Sequence, residues 1–446
     1  GFEGVQVVVQ GVEKVRINSV GLAVLDLQHG HSIAVLAVNH GDFSSVVSRR
    51  RGSGLVAGVP VPYILPMNET HLNRYARILV EHGAGLREDQ DLFISSEVVH
   101  RDLVHRVAEV GYEVGPRSVS IHLTDPRRQA QLIRLGRPEH IELAHEEERA
   151  FLNHAVTGRG AMISLRGEED PRLMPTVARD FPERHALFTR SSNLKGKLLL
   201  HHGINRGLCP WVVAVAVTPS WARLVFPDLE ESEAVDRLWE HVFRFTYADH
   251  EDYLDRAAAK DRRLHGRRAR LNELDIREIR VVGGQTDLRV GLAAEARWLG
   301  GSKTTVYGQT FNANVPTEEN FTTPDRRRTE GRLAATMPFR TKSGLLVKDL
   351  VMHFEAGRLT RFEASEGAAG FERWVDSDDG ARYLGEFALV GQDSPIAQSG
   401  LFFEHTLFDE NAWAHAALGQ AYTTALEGGE HMSAAQRDAV GCNTST

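Results

Sequence analysis

Three short segments in the last third of the chain carry side chains whose types and spacing could do chemistry. The first reads Asn312-Ala313-Asn314-Val315-Pro316-Thr317-Glu318-Glu319-Asn320-Phe321-Thr322-Thr323-Pro324. Pro316 and Pro324 bracket a short extended stretch, in which successive side chains face opposite sides, so Glu318 and Glu319 cannot both point into one site. A single carboxylate on a rigid extended segment suits a metal ligand; the plainer reading of these residues alone is a surface turn with solvated acids. The second segment, Tyr383 to Val390, embeds Glu386 in an apolar run. Burying an ionised carboxylate costs several kcal/mol without a compensating partner, so Glu386 faces either water at a strand start or a cation. The third runs from Phe408 to Tyr422. It predicts an Ala-rich helix N-capped by Asp409, with Asn411, His415 and Tyr422 along one face. Taken alone, His415 among small residues reads as a hydrogen-bonded core group. Beside two rigidly placed carboxylates it completes the Glu and His set, with an open water position, that hydrolytic metal sites use.

The elements that must position these groups fall into an α/β N-terminal domain with a mostly parallel sheet, residues 67–206, and an α+β metal-site domain, residues 207–446. In the first, Leu72, Tyr75, Ala76, Leu79 and Val80 recur at helical spacing up to Gly83. Strands are expected over Asp91 to Val98, Ser118 to Leu123 and Ala161 to Leu165, with helices over 102–111 and 126–135 between them; that alternation implies right-handed crossovers. In the second, a buried strand runs over Trp211 to Thr218, and Glu231 to Phe245 forms a helix with Leu238, Trp239, Val242 and Phe243 inward. Further strands are expected over Ile279 to Val282, Asp287 to Leu292, Leu345 to Phe354 and Glu386 to Val390.

Residues 1–66 differ in texture, with 9 charged residues against 103 in the remaining 380, and with 15 valines and 9 glycines. Val5 to Val9, Ile33 to Val38 and Val56 to Val61 have strand composition. The glycines at 52, 54 and 58 resemble a phosphate loop only loosely, because no amphipathic helix follows. His29, His31 and His40 have no carboxylate or cysteine arranged around them and read as incidental, and Arg49 to Arg51 as a solvated run. The first methionine is Met67, so the expectation is that translation starts there and that 1–66 is upstream sequence.

Composition excludes several classes. A net charge of -8 and a pI near 6.2 argue against nucleic acid or an anionic membrane as the main partner. The one basic cluster, Arg262 to Arg270, has acidic neighbours and no interleaved aromatics, and reads as a solvated helix face. No apolar run approaches the roughly 18 residues of a membrane span. Two cysteines, Cys209 and Cys442, exclude a disulfide framework and suit a reducing cytoplasm. A nicotinamide-dependent oxidoreductase is excluded because no glycine-rich turn follows any strand of the first domain.

From Met67 onward the chain resembles the metallo-aminopeptidase family of aminopeptidase T, aminopeptidase S and PepS, the thermophilic aminopeptidases. The resemblance is carried by WARLVFP (221–227), TDLRVGL (286–292), NVPTEENFTTP (314–324), GARYLGEFALV (380–390) and SPIAQSGLFFEHTLFDENAWAHAALGQAY (394–422). It implies metal ligands at Glu319, Glu386 and His415, with Tyr422 in the site. It further implies two divalent ions (zinc, cobalt or magnesium) that activate a water to attack the first peptide bond of peptides with a free N-terminus. Glu319 or Glu386 would bridge the ions, Tyr422 would hydrogen-bond the tetrahedral intermediate, and the enzyme would be a homodimer. Two more family ligands, a His-x-Asp pair, follow a Gly-x-Asn-x-Ser segment. That segment stands here as Gly441 to Ser445, just before Thr446. With three ligands of the family's five, the expectation is a chain whose gene continues and whose 446-residue product cleaves little; activity equal to a full-length relative would overturn it. The alternative is a catalytically impaired fragment or a non-catalytic homologue acting as a binding or assembly protein.

Overall fold

The computed structural model describes residues 6–8, 68–197, 199, 203–204, 206–340 and 346–444. The expectations for His29, His31, His40, Arg49 to Arg51, the glycines at 52–58 and the strands at 33–38 and 56–61 lie outside these residues.

The β-branched runs of the N-terminal half become Asp91–Glu97, Ser118–Thr124, Ala161–Arg166 and Trp211–Val215, which pair in parallel. Helices Arg101–Val114 and Pro126–Leu135 fall where their apolar spacing places them, the second with Asp125 accepting the N–H groups of Arg127 and Arg128. The sheet has five strands. It continues beyond residue 206 to Trp211–Val215 and takes its edge strand, Asn314–Val315, from far along the chain. Leu72, Tyr75, Leu79, Leu238, Trp239, Val242 and Phe243 are all buried against Ile94, Ile163 and Ala214 in one core. The helix that carries the last four of these covering residues is Glu231–Thr246.

The C-terminal half is mainly antiparallel. A six-stranded sheet orders Gln6–Val8, Glu278–Gly283, Thr286–Leu292, Pro324–Ala334, Val351–Glu355 and Arg358–Glu363. The single strand expected over 345–354 is interrupted: Leu346–Val347 and Val351–Glu355 flank Asp349, whose φ of 50° breaks the extended run. A smaller three-stranded sheet joins Glu319–Thr322, Leu384–Val390 and His415–Leu418. The stretch from Asn314 to Ala334 thus passes through the five-, three- and six-stranded sheets in turn, which places Glu319 where the two halves of the molecule meet.

The helix expected over 409–422 does not form. Only Thr406–Asp409 is helical, and His415–Leu418 is a strand. Asp409 caps backward, accepting the N–H groups of Phe403 and His405, and Asn411 is used to hold Glu318 N–H and Leu407 O. Alanine's helix preference is worth tenths of a kcal/mol per residue, less than the cross-strand bonds available to Ala416 and Ala417 on the open edge of Leu384–Val390.

The basic cluster lies in helix Tyr253–Glu273 as expected, but its face is only partly solvated. Arg263 and Arg267 reach Asp393 at 3.7 and 2.8 Å, and Arg263 also reaches Glu318 at 3.6 Å. Among the described residues, no helix is long and apolar enough to cross a membrane.

Candidate metal centre

Cross-strand partners in a sheet project to the same face. Glu319 lies opposite Val390 and Phe321 opposite Ala388. On the other side, Leu384 pairs with Leu418, but Glu386 then pairs with Ala417 and Ala388 with His415. Gly385 is therefore an extra residue, a bulge that shifts the pairing by one. Without the shift, His415 would fall opposite residue 387 and point to the other face. With it, Glu319, Phe321, Glu386, Ala388 and His415 share one face. Gly385 is required there: a Cβ would lie 2.2 Å from the carbonyl oxygen of Gly419. At the centre of the face sits Ala388, fully buried and paired with Phe321 on one side and His415 on the other.

His415 Nε2 is 3.3 Å from Glu319 Oε2 and 3.3 Å from Glu386 Oε1. One donor atom from each of the three residues lies within 4.8 Å of the others, a spacing that could hold a metal ion. His415 Nδ1 is 3.1 Å from the carbonyl oxygen of Trp413. Donation by Nδ1–H there leaves Nε2 as the lone-pair nitrogen, as a histidine ligand requires.

The electrostatics fit a cation. Glu319 is buried, and its Oε2 accepts no hydrogen bond among the described residues although His415 Nε2 is near. Burial draws the His415 imidazole down, but Glu319 and Glu386 together outweigh it and hold the ring well above the usual histidine range. The pair of carboxylates thus recruits positive charge by whatever means is present, and a divalent ion supplies it with its ligands deprotonated. Burial raises the Tyr422 phenol, reinforced by Glu386, Glu410 and Glu319, so it stays a hydrogen-bond donor. Its ring packs 5.7 Å from that of Phe321.

Glu318, the neighbour of opposite parity, points away as the extended geometry requires. It is buried against Lys260 Nζ at 3.3 Å, and its N–H donates to Asn411 Oδ1 at 2.7 Å. Asn411, expected beside His415, thus braces this neighbour instead. His405 packs 4.9 Å from the Trp221 ring and takes no part in the cluster.

Two charged groups near the site were missed by sequence reasoning. Glu410 is pushed up to about 8 by burial and then by the Glu319 charge; its only signal was adjacency to Asp409 in the same segment. Lys303 lies with its Nζ 5.4, 5.5 and 5.6 Å from the ring centroids of Trp211, Phe321 and Tyr422. A single lysine after Gly300-Gly301-Ser302 offers no local pattern, because its setting is made by rings from three distant segments.

Comparison with known proteins gives one consistent answer. Residues 68–446 match the family described as thermophilic metalloprotease (M29). Aminopeptidase T of Thermus aquaticus is 36% identical over 358 residues, 80% of this chain and 86% of that protein. Aminopeptidase AmpS of Bacillus subtilis is 32% identical over 376 residues, 84% of this chain and 90% of that protein. The solved structure of wild-type AmpT from Thermus thermophilus superimposes with a TM-score of 0.74 at 33% identity, covering 84% of this chain and 90% of that one. The chain belongs to the thermophilic metalloprotease (M29) family, whose reaction class is metal-dependent hydrolysis of peptide bonds.

Proposed function

We propose that this metalloprotease is an aminopeptidase that releases the N-terminal residue of peptides, with two divalent ions held at Glu319, Glu386 and His415. The observation that carries the reading is the meeting of these three side chains on one sheet face around a buried carboxylate oxygen that accepts no hydrogen bond among the described residues. The relatives' names, aminopeptidase T and aminopeptidase AmpS, supply the exopeptidase half. When bound, the ions supply Lewis acidity, lowering the pKa of a water and polarising the scissile carbonyl.

The protein's own groups do the rest. Glu319 and Glu386 concentrate negative charge in a water-poor site, which also favours the substrate's α-ammonium over a blocked terminus. His415 is held in one orientation by the Trp413 carbonyl. The Tyr422 phenol keeps its proton and donates a hydrogen bond to the carbonyl oxygen as negative charge develops there. The convergence of Glu319, Glu386 and His415, three of the five ligand positions that the resemblance implies, weighs against a non-catalytic binding role.

Leucine p-nitroanilide and its N-acetyl derivative test the reading, assayed after chelator treatment and after addition of zinc, cobalt or magnesium. Hydrolysis of the free substrate alone, lost on chelation and regained with metal, is expected, with mass spectrometry counting the ions. Equal cleavage of the acetylated substrate, or activity that survives chelation, would overturn it.

A further inference from the structure

Lys303 opens the short strand Lys303–Thr304, which pairs with Thr310–Phe311. The turn before it is anchored, because Asp261 accepts both the N–H and the hydroxyl of Ser302. The rings around its ammonium come from the parallel sheet (Trp211), the Glu319 strand (Phe321) and the segment after His415 (Tyr422). Aromatic faces attract a cation but accept none of its N–H groups in a directed, hydrogen-bonded way. Among the described residues, no hydrogen bond or ion pair uses those donors; burial draws the amine's pKa down, and the charges of Glu319 and Glu386 act against that. The result is an amine whose N–H donors are unused among the described residues, beside the face of Glu319 and Glu386, whose charges favour its protonated form.

The positive charge of that form opposes metal binding at the same face, so neither it nor its cage serves to hold the ion. It suits the one species in peptide hydrolysis that gains negative charge. We infer that Lys303 is a catalytic residue that donates to the scissile carbonyl oxygen, together with Tyr422, and stabilises the oxyanion of the tetrahedral intermediate. The inference rests on the aminopeptidase reading and adds the group that binds the reacting oxygen. In the step it assists, the water oxygen adds to the carbonyl carbon and the π pair moves onto the carbonyl oxygen. When the C–N bond then breaks, that pair re-forms the carbonyl and the amine leaves with a proton from the attacking water. Lys303 keeps its proton throughout. Its charge also repels the substrate's α-ammonium and so turns it toward the carboxylates, which sets the direction of the peptide in the site.

The test compares the wild-type protein with Lys303→Met and Lys303→Arg by steady-state kinetics on leucine p-nitroanilide, metal content and affinity for a phosphinic dipeptide, whose tetrahedral P–O⁻ resembles the oxyanion. For Lys303→Met, kcat should fall about 10²- to 10³-fold, the usual effect of removing an oxyanion donor, with KM changed less than about threefold. Bound metal should be equal to or above wild type, and phosphinate affinity should fall in step with kcat/KM. Lys303→Arg should recover at least a tenth of the lost rate. Lys303→Gln carries the Lys303→Met expectations if that variant does not fold. A kcat within threefold of wild type overturns the inference, as does a loss that follows depleted metal and is not rescued by arginine. Equal cleavage of N-acetyl-leucine p-nitroanilide by the wild-type protein would sink the aminopeptidase reading itself, a result distinguishable from either.

Discussion

Replacing Gly385 by alanine should remove metal binding without touching a ligand. The new Cβ would lie 2.2 Å from Gly419 O and 2.8 Å from the carbonyl carbon and oxygen of Gln420, where real Cβ contacts essentially never come under 3.0 Å. The obstructing atoms are backbone, so no side chain can swing aside. Either the two strands part by at least about 0.8 Å, or the bulge is squeezed out and the pairing resets by one residue. The first response exceeds the roughly 0.5 Å within which a site must be held. It should weaken metal affinity by about 10–100-fold, as disruption of the groups orienting metal ligands does. The second turns His415 to the opposite face and abolishes binding. Overpacking of this kind costs roughly 1–3 kcal/mol, so the fold survives with a lowered thermal midpoint. Gly266→Ala is the control: it lies in helix Tyr253–Glu273 with nothing within 4 Å of its Cβ, and should be neutral or slightly stabilising. Both variants are stripped with chelator and titrated with zinc while thermal midpoints are recorded. Wild-type zinc affinity in Gly385→Ala would refute the claim that the bulge aligns the site.

Other expectations follow from the same geometry. Glu319→Gln should lose bound metal with a smaller loss of stability in the metal-free protein, because Glu386 still pairs with His415 at 3.3 Å. Glu318→Gln should do the reverse: it strands Lys260, whose side chain is 8% exposed, and breaking such a buried pair costs about 3–5 kcal/mol. Chemical denaturation paired with metal analysis separates the two, and identical profiles would contradict the opposite orientations. Ala388→Leu should fill the centre of the chelating face and lower metal affinity at least tenfold with Glu319, Glu386 and His415 all present; unchanged zinc titration would count against it. Stability should also depend on pH with two opposing signs. His82, His100, His145, His241 and His405 are each pushed from 6.5 to about 4 by burial, so their contribution is complete above pH 6.5 and is lost as pH falls through 4. Glu97 is pushed up from 4.5 to about 7 by burial, so its contribution is complete below pH 4.5 and is lost as pH rises through 7. Glu97→Gln keeps an acceptor for the Glu169 N–H and should raise the melting midpoint at pH 8 but not at pH 4; an equal change at both would contradict the assignment.

What could be read from the sequence, and what could not, divides along the range of the interactions involved. Helix Pro126–Leu135 and the inward row of Leu238, Trp239, Val242 and Phe243 depend on apolar spacing within one element, and local periodicity is sufficient to find them. The opposite orientation of Glu318 and Glu319 is equally local, since it follows from the period of two in any extended segment. The run around Glu386 leaves water and a cation both open because its own strand cannot say which neighbours it meets; the strands bearing Glu319 and His415 bring those two side chains to it. The segment after Asp409 was misread for the same reason in reverse. Its alanines favour a helix in isolation, and only the vacant edge of Leu384–Val390, with the bulge at Gly385, makes a strand the better state. Lys303 is the extreme case, for nothing within ten residues of it holds its ammonium.

One consequence concerns how such a site can be lost. The three candidate ligands sit on separate strands, yet their convergence depends on a one-residue offset in a single pairing. Asn443 reinforces that offset from outside: its amide donates to the carbonyl oxygens of Gly380, Tyr383 and Gly419 at 2.9, 3.1 and 2.7 Å, bridging the two strands where the bulge begins. Replacing Asn443 by alanine removes the two N–H donors that these three carbonyl oxygens share, at roughly 1 kcal/mol per donor if water does not replace it. The bulge should then become the weakest part of the sheet. Amide hydrogen exchange of Glu386 to Ala388 should accelerate in Asn443→Ala while the parallel sheet remains protected, and metal affinity should fall with it. Faster exchange with unchanged metal affinity would show that the offset is held by the strands themselves, and that Asn443 only ties down the segment that carries it.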